Sequence, residues 1–389
     1  MVSIEHINLQ PDTGGGEVYT HALSRALAEA GARVRLYVHP ANRLWDDLAS
    51  QGMELVRAAD ERQLVDSLPR ARSIVLTHSP LSLGCLDAMA RTHLVAGFAH
   101  MPAYQRGAEG FGHYHYVATV SRYCIDLLRA AGIAHVHPEP MYGVADAGRG
   151  DPSAEIWGNS PYVWDRRKMR DRLLGLVQPL AHGRRRFRRE AAATFGIVSG
   201  LVPIKQFPLL FSIVAPILAK RGVRLEVFGA GGYAQVRDLR RALRPLGGHA
   251  RFWGHQRDVA AIYPQLDYLM TGLPEKEALG LNVLEAQACG TPVLAPRGGP
   301  FAETVLDGRS GFLYRDPRED GGRDFERIVA GIVSGAPRPD PRLAGEHLAA
   351  FSYAAFAARA ASLLAVLEEL AATRVPSARE TIRAGPDPA

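Results

Sequence analysis

Cysteine is scarce: the 389-residue chain has three, Cys85, Cys124 and Cys289, scattered without metal-ligand spacing. They read as buried thiols in a reducing compartment. Long apolar runs are missing too, since the longest, Phe207 to Ala219, is too short to cross a bilayer and contains Pro208 and Pro216. No transmembrane segment is expected. The opening Met1 to Leu9 carries no basic leader before an apolar core and reads instead as a first strand. There is no Asp-x-Asp at a strand end to suggest an obligatory divalent ion, no Gly-x-Gly-x-x-Gly dinucleotide fingerprint and no internal repeat. A metal site is not expected.

What is present is an ordinary globular composition, 47% hydrophobic and 22% charged, long enough for two core-forming domains. The net charge of +6 is local in origin. Ten basic residues and one acid, Asp171, lie between Arg166 and Arg189, so the remainder holds 36 basic and 39 acidic residues, or −3. Such a distribution does not suit nucleic acid, which asks for a basic face spread over a domain. Two readings of Arg166 to Arg189 stay open. One is a solvated interdomain segment; the other is a patch touching anionic lipid headgroups or a phosphorylated lipid acceptor, worth about 1 kcal/mol per basic residue near such a surface.

Strands and helices alternate as in parallel α/β units. Val2 to Leu9, Arg33 to His39, Ser73 to His78, Leu94 to His100 and His115 to Ser121 are candidate strands of a first half. Phe195 to Leu201, Arg224 to Gly229, Ala250 to Gly254, Tyr268 to Gly272 and Pro292 to Ala295 repeat the pattern in a second. The Pro-, Gly- and charge-rich Asp146 to Glu190 places the boundary near residue 180, giving domains 1–180 and 181–350. Asp316 to Asp324 reads as a surface loop. An alanine-rich helix within 351–375 precedes a Pro-containing tail, 376–389, expected to be disordered.

The most informative segment runs from Glu275 to Val293. Gly290 and Pro292 end a helix before the apolar Val293-Leu294-Ala295, and Leu281, Leu284 and Ala288 recur at helical spacing, with Glu285 beside them. Helical rise would hold Glu277 and Glu285 roughly 12 Å apart. Glycosidase carboxylate pairs stand closer, about 5 to 9.5 Å. The spacing suits two anchors on one long ligand.

Glu277 to Glu285, followed by Gly290-Thr-Pro-Val293, Gly298-Gly299-Pro300, Glu303-Thr304-Val305 and Asp307-Gly308-Arg-Ser-Gly311-Phe312-Leu313, resembles the donor-site block of family 4 retaining glycosyltransferases. That resemblance implies the GT-B fold, an α/β architecture of two Rossmann-like domains with parallel sheets facing across a cleft. The N-terminal domain would take the acceptor and the C-terminal one a nucleoside diphosphate sugar of UDP or GDP type, with no cofactor required. It also implies that Glu277 meets the transferred sugar and Glu285 the ribose. Backbone around Ala278, Leu279 and Gly280 would approach the sugar or diphosphate. In the family the terminal helix commonly crosses back onto the N-terminal domain.

Further positions fit the same resemblance. Pro11-Asp-Thr-Gly14-Gly15-Gly16-Glu17 follows a strand and opens a helix, where amides and dipole favour phosphate. It is similar to the family's N-terminal glycine loop, with Gly15 and Gly16 approaching the donor or acceptor. His100 ends a strand and takes the place of the family's histidine near the sugar hydroxyls; His78, equally at a strand end, has no motif support and reads as structural. Lys205 matches the family's diphosphate lysine, but Gly200 stands where an arginine is expected and Gln206 where glycine is usual. Gly229 and the pair Gly254-His255 match positions lining the nucleotide pocket.

The implied activity is hexosyl transfer with retention from the donor to a hydroxyl of a sugar or lipid-linked acceptor, as in polysaccharide or glycolipid synthesis. Glu277, His100 and Lys205 would be the catalytic groups, and the location cytoplasmic, with membrane contact if the basic patch serves that role. Two alternatives remain open at this stage. One is a nucleotide-sugar epimerase of similar fold; the other is a donor-binding protein whose catalysis is weakened or lost at Gly200.

Overall fold

Short apolar runs such as Ile74–Thr77 and Leu94–Ala99 become parallel strands buried on both sides. The structure, a computed structural model, describes residues 2–103, 105–145, 151, 153–163, 169 and 185–373. Its strands are β1 (Ser3–Asn8), β2 (Arg33–Val38), β3 (Glu54–Arg57), β4 (Ile74–Thr77), β5 (Leu94–Ala99), β6 (Tyr116–Thr119), β7 (Thr194–Val198), β8 (Arg224–Phe228), β9 (Ala250–Gly254), β10 (Tyr268–Met270), β11 (Val293–Pro296) and β12 (Gly311–Tyr314). They form two six-stranded sheets, β3-β2-β1-β4-β5-β6 and β12-β11-β10-β7-β8-β9. Every strand pair is parallel.

Five helices matter for the site: α1 (Gly15–Glu29), α2 (Phe207–Lys220), α3 (Leu281–Ala288), α4 (Arg323–Val333) and α5 (Tyr353–Ala372). The first core gathers Ile7, Val75, Val95 and Val117 from the strands with Leu86, Ile125 and Leu128 from covering helices. In the second, Phe195, Ile197, Leu225 and Val227 meet Phe207, Leu210, Phe211 and Val214 of α2 on one side. Val198, Leu269, Val293 and Ala295 meet Val283 and Ala286 of α3 on the other.

The chain divides into Met1–Val144 with the segment from Ala350 onward, and Ala145–Ala349. The division therefore falls at residue 144 rather than near 180, because the intervening chain is stitched to the second sheet. Asn159 N donates to Trp253 O at 2.8 Å, Val163 N to Gly231 O at 2.8 Å, and Phe187 N to Ile156 O at 2.9 Å. The terminal helix belongs to the first unit. There Arg25 of α1 lies 4.2 Å from the Tyr353 ring centroid, and the Tyr353 hydroxyl donates to Glu29 Oε2 at 2.8 Å.

Three other expectations change. The strands β3 and β12, each a four-residue strand at a sheet edge, are absent from the sequence reading. Asp316 to Asp324 is not a loop: Pro317–Asp320 forms a helical turn and α4 starts at Arg323. Its acids act as caps, Asp316 accepting from Arg318 N at 2.9 Å and Asp320 from Gly322 N and Asp324 N. Finally, Pro341–Ala372 is long and apolar enough by composition to cross a membrane, contrary to the expectation of no such segment. Phe356, Ala360, Leu363 and Leu367 of α5 are instead fully buried in the folded chain.

Candidate functional site

Open parallel sheets offer a binding crevice beyond the carboxyl ends of the two strands where strand order reverses. In the second unit those strands are β7 and β10. The loop after β7 carries Lys205 and the loop after β10 carries Glu277, and their side chains form an ion pair across 72 residues of sequence. Both are mostly covered, with side chains 20% and 14% exposed. Two backbone features hold the loops together. Leu273 N donates to Lys205 O at 3.2 Å, and a Cβ on Gly272 would stand 2.0 Å from that same oxygen.

Glu277 precedes α3 instead of lying in it, because the helix begins only after Gly280, whose φ of 82° is left-handed. The 12 Å helical spacing of the two glutamates therefore does not apply. Asn282 Nδ2 donates to Val198 O at 3.0 Å, pinning the start of α3 to the end of β7. Leu279 is buried and contributes its side chain to the interior. Glu285, in the middle of α3, accepts a hydrogen bond from the Tyr263 hydroxyl at 2.8 Å. Burial, and then the adjacent carboxylate, push the Tyr263 phenol well up, so it remains a donor.

Gly229 and Gly254 are glycines for a reason internal to the protein. A Cβ on Gly229 would stand 1.8 Å from Ser199 O, and one on Gly254 (φ 69°) 2.3 Å from Asn159 O. The His255 side chain is exposed, while its carbonyl accepts from Asn159 Nδ2 at 3.1 Å. Gly200 is unhindered: a Cβ there would meet only Val202 Cγ1, at 3.9 Å. Gln206 has a φ of 53°, the left-handed conformation for which glycine is the usual residue. A surface hollow lined by Arg297, Asp307, Phe312, Leu313, Asp324 and Arg327 lies along the edge strand β12. It shares none of these site residues.

In the first unit the order reverses between β1 and β4. Gly14 caps α1, which starts at Gly15 and Gly16, and the Glu17 carboxylate reaches back to Gly14 N at 2.8 Å. A carboxylate thus sits at the helix start, where the sequence reading expects a phosphate. His100 follows β5, half-buried, and bonds to His78, which follows β4. Sequence reasoning sets His78 aside as structural and does not single out His6 of β1, yet the structure joins all three rings. The available signal was positional: a His on each of three neighbouring strands, at or just beyond its carboxyl half.

Among the described residues no group of three His, Cys, Asp or Glu could hold a metal ion. Of the basic stretch Arg166 to Arg189, residues 166–168 and 170–184 lie outside the described residues. Of the described part, Arg186 pairs with Glu155 and Arg189 with Asp267.

Residues 192–327 match the glycosyl transferases group 1 family. The D-inositol 3-phosphate glycosyltransferase 2 of Catenulispora acidiphila is 33% identical over 213 residues, 47% of this chain and 45% of that protein. The D-inositol 3-phosphate glycosyltransferase of Stackebrandtia nassauensis is 32% identical over 198 residues, 45% and 42% of the two chains. The chain thus spans less than half the length of these curated relatives. Among solved structures, Anabaena HepE in complex with UDP and glucose matches with a TM-score of 0.67 at 16% identity, over 94% of this chain and all of that one. The sucrose-phosphate synthase from Thermosynechococcus elongatus matches equally, TM-score 0.67 at 16% identity, over 95% and 100%. The fold is GT-B, two Rossmann-like units, and the segment that matches the glycosyl transferases group 1 family lies in the second.

Proposed function

We propose that this chain is a retaining glycosyltransferase of family 4 type that moves a sugar from a nucleoside diphosphate sugar to an acceptor hydroxyl. The observation that carries the reading is the Lys205–Glu277 pair, set where strand order reverses inside the segment that matches the family. The pair stores a cation and an anion side by side in a mostly covered crevice. A diphosphate arriving there competes with Glu277 for the Lys205 ammonium, and the displaced Glu277 carboxylate becomes an acceptor for sugar hydroxyls. Lys205 then opposes the charge that grows on the departing diphosphate. The first turn of α3 adds backbone amides that a helix cannot satisfy itself. Glu285, held by Tyr263, takes the ribose hydroxyls, and His100 orients the transferred sugar.

The D-inositol 3-phosphate glycosyltransferase relatives favour a polyol or sugar acceptor, and the lipid-linked alternative belongs to the same reading. The deciding experiment incubates the protein with UDP, GDP and ADP sugars, with and without sugar, inositol phosphate and lipid-linked acceptors, and follows products by mass and anomeric NMR. A retained glycosidic product supports the proposal. Epimerised donor in the absence of acceptor would replace it with an epimerase.

One observation favours a second reading, a donor-binding protein with weakened catalysis. Gly200 leaves the diphosphate without its expected arginine, in a place with room for a side chain. Gly200→Arg should raise turnover if the site is weakened, by up to about 100-fold, the order of one preorganised charge contact. An unchanged or lower rate would set that reading aside.

A further inference from the structure

Three histidines from adjacent strands of the first unit form one continuous hydrogen-bonded line. His6 on β1 is fully buried, while His78 after β4 and His100 after β5 are half-buried. His6 Nδ1 lies 2.8 Å from Ser24 Oγ on α1, and His6 Nε2 lies 2.7 Å from His78 Nε2. His78 Nδ1 bonds to His100 Nε2. The rings are fixed by aromatic neighbours: Phe98 stacks on His78 at 4.7 Å and 12°, and Tyr19 meets His100 edge-on at 5.0 Å.

The far end of the line sets its polarity. The Ser24 hydroxyl lies 2.9 Å from the Thr20 carbonyl, an oxygen that can only accept, so we orient its proton there, which leaves the Ser24 oxygen to accept from His6 Nδ1–H. A neutral imidazole has one donor and one acceptor nitrogen. His6 Nε2 therefore accepts from His78 Nε2–H, and His78 Nδ1 from His100 Nε2–H. What remains on His100 is a lone pair at Nδ1.

Among the described residues no carboxylate bonds to these rings to favour a proton. Glu5, next to His6, faces the other side of β1, where it accepts from the Tyr37 hydroxyl at 2.9 Å and lies 3.6 Å from Arg35. Tyr19 on α1 gives its hydroxyl to Met141 O at 2.6 Å, and Arg359 on α5 acts on Tyr19 and donates to the carbonyls of Tyr142 and Ala350. Burial lowers His100 to about 4; burial and His100 together lower His6 to about 3. Burial, with the two neighbouring rings, holds His78 well below its ordinary value.

We propose that Ser24, His6 and His78 are positioning residues that hold His100 neutral in a single tautomer and present its Nδ1 as a hydrogen-bond acceptor. The ligand group that fits is a hydroxyl, which donates to Nδ1 and leaves the line inward of His100 unchanged. A carboxylate or phosphate oxygen, having no proton to give, is disfavoured at that nitrogen. Identification of the hydroxyl with one on the transferred sugar rests on the function proposed above; the tautomer does not.

The test is histidine-selective 15N NMR of the full chain without ligand, with His100 assigned by His100→Gln. The expected spectrum shows His100 protonated at Nε2 and bare at Nδ1, without titration between about pH 5.5 and 8. Ser24→Ala removes the acceptor for His6 Nδ1–H, three links from His100, and should reverse the line, leaving His100 protonated at Nδ1. Ser24→Thr should restore the native tautomer. His78→Phe, which keeps a ring against Phe98, should give mixed tautomers and an upward-moved titration of His100. In the same variants kcat should fall about tenfold with donor KM little changed, the loss expected for one misdirected hydrogen bond. A His100 protonated at Nδ1 in the native protein, or a tautomer indifferent to both Ser24→Ala and His78→Phe, overturns the proposal. Absence of nucleotide-sugar turnover alongside the predicted spectra would overturn the transferase reading alone.

Discussion

The two units repeat one strand order and differ in what stands where that order reverses. In the second unit it is a charge pair, Lys205 and Glu277, with Glu285 held nearby by Tyr263. In the first it is a neutral chain of three imidazoles beside a helix start already occupied by the Glu17 carboxylate. In the proposed function the same topology furnishes one crevice for an anion with a polar tail and another for hydroxyls. Architecture decides where a ligand can sit, and the side chains after each strand decide which one.

The sharpest way to break this contrast is to remove the charges. Lys205→Ala or Glu277→Ala should lower kcat by about 100- to 1,000-fold, as loss of a preorganised polar contact does. His100→Ala, which removes a neutral hydrogen bond, should cost markedly less. Equal losses at the two units would erase the distinction.

Next in size is a structural effect confined to the second unit. Gly254→Ala forces a Cβ to within 2.3 Å of Asn159 O at a left-handed φ and should destabilise that unit by about 3 kcal/mol in thermal or urea unfolding. Gly16→Ala in the glycine loop of the first unit, where a Cβ meets nothing within 4 Å, should change little.

Acid should separate the units further. Burial keeps His6 and His100 at about 3 and 4, below the ordinary 6.5, so the unfolded chain takes up protons first as pH falls. The stability these rings contribute is complete above about pH 6.5 and is lost on the way down to those folded-state values. Hydrogen exchange corrected for intrinsic rates should show β1, β4 and β5 losing protection between pH 6.5 and 5 while β7 and β10 hold theirs. Parallel loss in both sheets would contradict the assignment. The smallest expected effect is that of Tyr263→Phe, which removes the hydroxyl bonded to Glu285 and should weaken nucleotide binding about tenfold in titration calorimetry.

Much of this was legible in the sequence because strand periodicity, glycine punctuation and the Glu277 to Gly290 segment are local signals. The alternation of elements implied two parallel α/β units, and the family resemblance implied that Lys205 and Glu277 share one site although 72 residues separate them. What failed to show was non-local. The boundary was misplaced because residues 154–163 have a linker's composition, and only their bonds to Trp253 and Gly231 assign them to the second unit. The histidine line escaped because a lone His at a strand end is usually structural, and three of them acquire meaning only when β1, β4 and β5 lie side by side. At Gly229 and Gly254 the missing side chains make room for the backbone at Ser199 and Asn159, a packing constraint visible only in the folded chain. The α5 segment looks equally apt for a bilayer, and burial of Phe356 and Leu363 is visible only in the folded chain.

The most direct test of the central claim is calorimetric titration of the intact protein with UDP, and with GDP and ADP in parallel, before and after Lys205→Ala. One nucleoside diphosphate should bind at a single site, with Kd raised at least about tenfold by the substitution, as expected for a lost hydrogen bond to a charged group. Absence of binding by all three nucleotides, or an affinity that Lys205→Ala leaves unchanged, would contradict the account.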